Sequence, residues 1–127
     1  MFALNEIKER LERVWKALQL GNLDRDELFS KGNTIRNILE FALKHFCVML
    51  NIPIDIESKY GYIELGQMKK AIKSSVKIDI TQGLINIANE LSHDSGKKYS
   101  IDDIKTFHKD VEVLVNQLQN YICEKKM

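Results

Sequence analysis

The chain has 127 residues, about the size of one domain, with 44% hydrophobic and 29% charged residues and a net charge of +1. So high an apolar content excludes a disordered chain, and no run reaches the roughly 18 uncharged apolar residues of a membrane span. The near-neutral charge gives no overall signature of a nucleic-acid binder. The start of the chain lacks the pattern of a secretion signal. We therefore expect one domain over residues 1–127, in the cytoplasm and without membrane contact.

The N-terminal segment predicts an amphipathic helix, because its apolar residues recur at intervals of three and four. Gly21 follows them and suits the left-handed conformation that ends many helices. Residues 22–32 mix Asn, Asp, Ser and Gly with charges and predict a connector with at most one turn near Glu27–Phe29. The apolar stripe consists of Leu4, Ile7, Leu11, Val14 and Leu18.

The next segment predicts the most apolar helix, capped by Asn33 or Thr34. Pro53 disfavours helical backbone at Ile52 and predicts a loop over Asn51–Gly61. So wide an apolar stripe is typical of a helix packed on more than one side. It comprises Ile35, Ile38, Leu39, Ala42, Leu43, Phe46, Cys47 and Leu50.

Three further helices are predicted in the C-terminal half of the chain. The third carries the stripe Leu65, Met68, Ile72 and Val76. The fourth begins at Asp79 or Thr81, turns Leu84, Ile87, Ala88 and Leu91 inward, and ends at the polar break His93–Lys98. Ser100 and Asp103 predict a capping box for the last helix, whose stripe is Ile104, Phe107, Val111, Leu114, Val115, Leu118 and Ile122. The fold class is therefore all-α, a mainly antiparallel bundle of about five helices.

The sequence contains none of the common motifs for zinc sites, phosphate-binding loops or serine nucleophiles. His45, His93 and His108 are far apart, and the zinc spacings HExxH and CxxC do not occur. No glycine-rich phosphate loop or GxSxG nucleophile turn is present. We expect no metal and no cofactor, and we interpret Cys47 and Cys123, both on apolar stripes, as buried free thiols.

Two pairs of polar residues are spaced so that they share a helix face. Arg36 and Glu40 form either a surface ion pair or two contacts to different partners across the bundle. Asn89 and His93 form either a helix-end cap or an imidazole oriented by an amide, which is the arrangement of a general acid or base.

A third polar feature is a set of lysines, Lys69, Lys70, Lys73 and Lys77, in a segment from Leu65 to Ile78 without acidic residues. Lys69, Lys73 and Lys77 step by four and form either a solvated face or an edge that meets phosphates.

These features follow one another in an order that resembles certain HEPN-superfamily domains, which occur beside restriction, ATPase and abortive-infection modules. Thr34–Lys44 is similar to their R-x-x-L-E-x-x-L-K helix, and Glu64–Ile72 to their L-G-x-x-I-x-x-L helix. Ile87–Asp94, followed by Tyr99–Asp103, is similar to their G-N-x-x-x-H-D … s-x-e-d signature. The resemblance covers residues 33–122.

The resemblance implies a homodimeric helical module in prokaryotic stress response or phage defence, with the fourth helix near the two-fold axis. Catalytic members are metal-independent ribonucleases whose Arg and His meet at the dimer cleft. His93 takes the His position and Asn89 the polar position, but Ala88 stands where the Arg belongs. We therefore expect a non-catalytic module that binds RNA or a partner protein through Arg36, Glu40, Asn89, His93 and the lysines Lys69, Lys73 and Lys77.

The alternative is a metal-independent endoribonuclease. In it His93 would act as general acid or base, Asn89 would orient it, and Arg36 would stabilise the phosphorane.

Overall fold

The computed structural model describes residues 2–52, 65–91 and 99–125, without the side chains of residues 2–4 and 125. This part of the chain contains five α-helices and no strand, which confirms the all-α bundle. Of the predicted loop Asn51–Gly61 only Asn51 and Ile52 are described, and they are not helical; the polar break at 93–98 lies outside the described residues. The helices are α1 (Phe2–Leu20), α2 (Arg25–Met49), α3 (Leu65–Val76), α4 (Gln82–Glu90) and α5 (Ile101–Lys125).

The hydrophobic core lies where α1, α2 and α5 pack on one another, and α3 packs against α2 while α4 packs against α5. All seven stripe residues of α5 are buried, and Phe107 and Phe46 are the largest fully buried side chains. In α1, Ile7, Leu11 and Leu18 are buried as predicted. None of the helices described is long and apolar enough to cross a membrane.

The start of α2 differs from the sequence prediction. The segment predicted as a connector is helical from Arg25, so that Asn33 and Thr34 lie within the helix rather than at its cap. Asp24 is the cap: its carboxylate accepts a hydrogen bond from Glu27 N at 2.8 Å, and Glu27 Oε1 accepts one from Asp24 N at 3.5 Å. This reciprocal box satisfies backbone donors at the helix start, so the helix begins there although few apolar residues follow at once.

Three other helix ends agree with the sequence prediction. Gly21 has φ +72° and follows α1 in left-handed conformation. Thr81 caps α4 by accepting a hydrogen bond from Leu84 N at 3.3 Å. Ser100 and Asp103 form the predicted capping box of α5, with distances of 3.0 and 3.1 Å.

The two cysteines have different surroundings. Cys47 is buried as predicted, and burial raises the pKa of its thiol above the ordinary value. Cys123 is exposed, so the prediction of a second buried thiol was wrong. One residue along a helix turns the side chain by about 100°, which carries Cys123 away from the core that its neighbour Ile122 enters.

Candidate functional site

Polar side chains form a continuous row along α2, defined by Asn33, Arg36, Asn37, Glu40 and Lys44. Their spacing of three, one, three and four residues places them on one side of the helix. Arg36 Nη1 lies 3.3 Å from Glu40 Oε2, and Lys44 Nζ lies 3.0 Å from Glu40 Oε1. Of the two interpretations of Arg36 and Glu40, the structure therefore shows the ion pair within the helix, extended by a lysine that the sequence analysis missed.

Amides complete this polar row toward the start of α2. Arg36 Nη1 donates to Asn37 Oδ1 at 3.4 Å, and Asn37 Nδ2 donates to Asn33 Oδ1 at 3.3 Å. Asn33 Nδ2 in turn donates to the carbonyl oxygen of Leu91 at 3.1 Å. The polar row is thus joined to the C-terminal end of α4, where helix carbonyls have no partner within the helix.

Arg36 is the least satisfied member of the row. Its side chain is 23% exposed and that of Glu40 25%. The Nε atom of Arg36 is buried and has no hydrogen-bond acceptor among the residues described. A buried N–H without an acceptor costs free energy, and an acceptor from a ligand could reach it only if neighbouring side chains moved.

The backbone of α2 comes very close to α4 and α5 at Gly32. A Cβ atom at this position would lie 2.8 Å from Cδ2 of Leu91 and 3.1 Å from Cδ1 of Ile104. Gly32 and Arg36 are one helical turn apart. The small residue therefore allows the approach that brings the end of α4 next to the polar row of α2.

The predicted catalytic residues of α4 are placed only in part. Asn89 is exposed on α4, which ends at Glu90, and His93 lies outside the described residues. Ala88, in the position where the ribonucleases carry Arg, is 0% exposed and belongs to the hydrophobic core. An Arg side chain there would begin inside the core, so the described residues offer no support for the ribonuclease alternative, which stays a prediction.

Tyr99 lies next to the C-terminal end of α4, just ahead of α5. Its hydroxyl donates a hydrogen bond of 2.8 Å to Glu90 Oε2. Burial first, then this bond and the negative charges of Glu90 and Asp103, raise the pKa of Tyr99 to about 12. The phenol is therefore neutral and acts as a hydrogen-bond donor throughout the physiological pH range.

The predicted lysine edge lies on and just after α3. Lys69 Nζ donates to Gln82 Oε1 at 3.1 Å, which links α3 to α4. Lys73 Nζ lies 3.8 Å from Asp79 Oδ1, with both side chains well exposed. Lys77 is exposed beyond the end of α3. Contacts this exposed are weak, so all three ammonium groups stay accessible to an anion.

The sequence did not identify one buried histidine, His108, as a polar core residue, and a second histidine, His45, is half-buried. His108 is 0% exposed, and its Nε2 lies 2.7 Å from the carbonyl oxygen of Leu11, which requires the proton on Nε2. His45 stacks on Phe41 with the ring centroids 6.4 Å apart. The signal available for His108 was its place on the apolar stripe of α5, beside Phe107. Among the described residues no group of three or more metal-ligating side chains occurs.

Comparison with family models, with curated proteins and with solved structures found no match for this chain.

Proposed function

We propose that the chain is a HEPN-like helical module that binds RNA without cutting it, through Arg36 and the polar row of α2. The observation that carries the proposal is the guanidinium of Arg36, a side chain that is 23% exposed at the centre of the polar row. A guanidinium group presents donors in a planar fork that matches the oxygens of a phosphate. Glu40 holds this fork in place through its contact with Nη1.

The lysines on and after α3 supply the second part of the proposal. α3 packs directly against α2, so Lys69 and Lys73 lie on the helix next to the one that carries Arg36, and Lys77 directly follows that helix. Phosphates farther along an RNA strand would meet these ammonium groups, which adds affinity that does not depend on sequence. The HEPN resemblance adds the biological setting, a cytoplasmic module of prokaryotic defence or stress response.

The test is the binding of a fluorescently labelled single-stranded RNA at about 50 and 200 mM salt. Phosphate contacts predict a steep loss of affinity as salt rises. Arg36→Gln is expected to weaken binding to all sequences and to lower the salt slope by about one unit. Arg13→Gln, an exposed position on α1, is the matched control because it makes the same change of charge.

Three results would count against this proposal. They are no RNA binding at low salt, equal affinity of the two arginine variants, and affinity that does not change with salt. A protein partner that binds with an affinity independent of salt would instead favour the partner-protein version of the module.

We further propose that the module is a homodimer and that two copies of α2 form its interface. Phe41 is 41% and Val48 73% exposed on the open side of α2. Phe41 and Val48 are seven residues apart, so they lie on one side of α2 and would form an apolar contact between two antiparallel copies of the helix. The α4 positions Gln82, Asn86 and Asn89 are polar and exposed, which makes α2 the better candidate for the axis.

Sedimentation equilibrium tests the dimer. The wild type is expected to form dimers at micromolar concentration, and Phe41→Glu, which would place two carboxylates at the axis, is expected to be monomeric. A wild-type monomer at these concentrations, or a Phe41→Glu dimer, contradicts the proposed interface.

A further inference from the structure

Three polar side chains, here called the donor cluster, are joined by hydrogen bonds where α3 meets α4. They are Lys69 of α3 and the amides Gln82 and Asn86 of α4. Lys69 Nζ donates to Gln82 Oε1 at 3.1 Å, and Gln82 Nε2 donates to Asn86 Oδ1 at 3.0 Å. Both amides are exposed on one face of α4, one helical turn apart, so the donor cluster is open to a ligand.

Lys69 sets the direction of the hydrogen bonds in the donor cluster. An ammonium group has only donors, so the amide of Gln82 must turn its oxygen toward Lys69. The nitrogen of Gln82 then faces Asn86, which must offer its own oxygen in return. Asn86 is left with both N–H groups of Nδ2, and within the described part of the chain these have no acceptor.

The donor cluster lies in a part of α4 without charged side chains. The segment Ile80–Asn89 contains no acidic and no basic residue. The carboxylate that precedes it, Asp79, lies 3.8 Å from Lys73 Nζ. The carboxylate that follows it, Glu90, accepts the hydrogen bond of Tyr99. The donor cluster therefore presents N–H groups beside an ammonium charge and suits an electronegative oxygen atom.

The position of α4 relates the donor cluster to the two sets of phosphate contacts proposed above. Lys69 contacts the first turn of α4, whereas Asn33 of the polar row donates to the carbonyl oxygen of Leu91 at the other end. At 1.5 Å per residue, Gln82 and Leu91 are roughly 13 Å apart along the helix axis. An RNA strand that meets Arg36 and the lysines of α3 would pass beside the exposed amides of α4.

We propose that the donor cluster gives the bound RNA a preference for bases with an exocyclic carbonyl group, uracil and guanine. Asn86 Nδ2 donates to this carbonyl oxygen. Cytosine and adenine carry an amino group in its place, so two donors would face each other and an N–H would lose its partner, which costs free energy. The inference rests on the proposed RNA binding and adds a specificity that phosphate contacts cannot supply.

The test compares labelled oligouridine and oligocytidine strands of equal length, bound to the intact protein at low salt. Both are pyrimidine strands with the same charge, so the carbonyl and amino groups are the main difference. We expect the uridine strand to bind about fivefold more tightly. Equal affinity that still falls in Arg36→Gln overturns the base preference and leaves the RNA-binding proposal standing. Binding of neither strand overturns both.

Asn86→Asp tests the donor directly. The carboxylate still accepts the hydrogen bond from Gln82, but it has no N–H to donate. The added negative charge weakens both strands alike, so the ratio of the two affinities isolates the donor, and we expect this ratio to fall to about one. Asn116→Asp makes the same change at an exposed position of α5 and is expected to keep the ratio. A ratio that persists in Asn86→Asp, or falls equally in Asn116→Asp, contradicts the proposal.

Lys69→Met tests whether the ammonium group sets the direction of the amides. Without it the amide of Gln82 can turn either way, so the preference for uridine is expected to fall along with the overall affinity. Lys70→Met removes an exposed ammonium group of the same helix and is expected to weaken both strands while keeping their ratio. The same ratio in both lysine variants would overturn the proposed role of the donor cluster.

Discussion

The three long helices α1, α2 and α5 and the two short helices α3 and α4 are held in the fold by different interactions. The long helices pack through continuous apolar stripes, and the side chains of Leu39 and Phe107 are fully buried among them. The short helices bury only three apolar side chains each and are joined to their neighbours by polar contacts as well: Lys69 bonds Gln82, and Asn33 bonds the end of α4. Regions with few apolar contacts open locally at a lower free energy than the global core. We infer that the long helices supply most of the free energy of folding. The short helices carry polar groups whose positions can change without unfolding the core.

The largest effect is expected from the core of the long helices. Phe107→Ala removes a fully buried ring and should lower the free energy of unfolding by about 3–5 kcal/mol, measured by urea denaturation. Val113→Ala truncates a side chain of the same helix that is 57% exposed and should cost much less. Similar losses for the two variants would mean that the apolar stripes do not dominate stability.

Gly32 tests the close contact of α2 with the end of α4 and with α5. Overpacking against Leu91 and Ile104 costs about 1–3 kcal/mol, while alanine in a helix returns up to about 1 kcal/mol relative to glycine. Gly32→Ala should therefore lose up to about 2 kcal/mol in thermal or urea unfolding. Gly83→Ala in α4 meets no atom within 4 Å and should gain about 0.4–1 kcal/mol. A gain in both variants would show that α2 and α4 are not in close contact.

The helix caps separate global from local effects. Asp24→Ala removes the capping box of α2 and should cost about 0.5–2 kcal/mol of global stability. Thr81→Ala removes the cap of the short helix α4 and should act mainly on that helix, seen as faster amide hydrogen exchange at Leu84 and Ile85 with little change in the urea midpoint. If Thr81→Ala shifts the midpoint as much as Asp24→Ala, α4 unfolds together with the long helices.

The smallest effect concerns pH. The pKa of Tyr99 rises from 10.0 to about 12 in the folded chain, so folding favours the neutral phenol. This stabilisation is fully present below pH 10 and is lost as the pH rises toward 12. The wild type should therefore lose more stability between pH 10 and 12 than Tyr99→Phe, measured as urea midpoints. Parallel pH profiles would show that the contact with Glu90 does not persist in solution.

The sequence predicted the long apolar helices well and the polar site incompletely. The spacing of Ile104, Phe107 and Val111 is enough to place α5, because burial follows helical periodicity directly. The start of α2 was misplaced because Asp24–Gly32 is largely polar, although the pair Asp24 and Glu27 carried a readable capping-box pattern. Arg36 and Glu40 could be paired from their spacing alone. The burial of Arg36 Nε without an acceptor could not be predicted, since it depends on how α2 packs in the fold.

Lys77 has a left-handed backbone conformation that glycine adopts more easily. It ends α3 with φ +60°, and its N–H donates to the carbonyl oxygen of Lys73 at 3.1 Å. A left-handed residue other than glycine carries a conformational cost of about 1–2 kcal/mol, which glycine would avoid. At the end of α3, the stability of the helix end and its positive charge can therefore be changed in opposite directions. Replacing this lysine by glycine would make the helix stop more stable while removing one positive charge, so a loss of RNA affinity in that variant could not be attributed to a damaged fold.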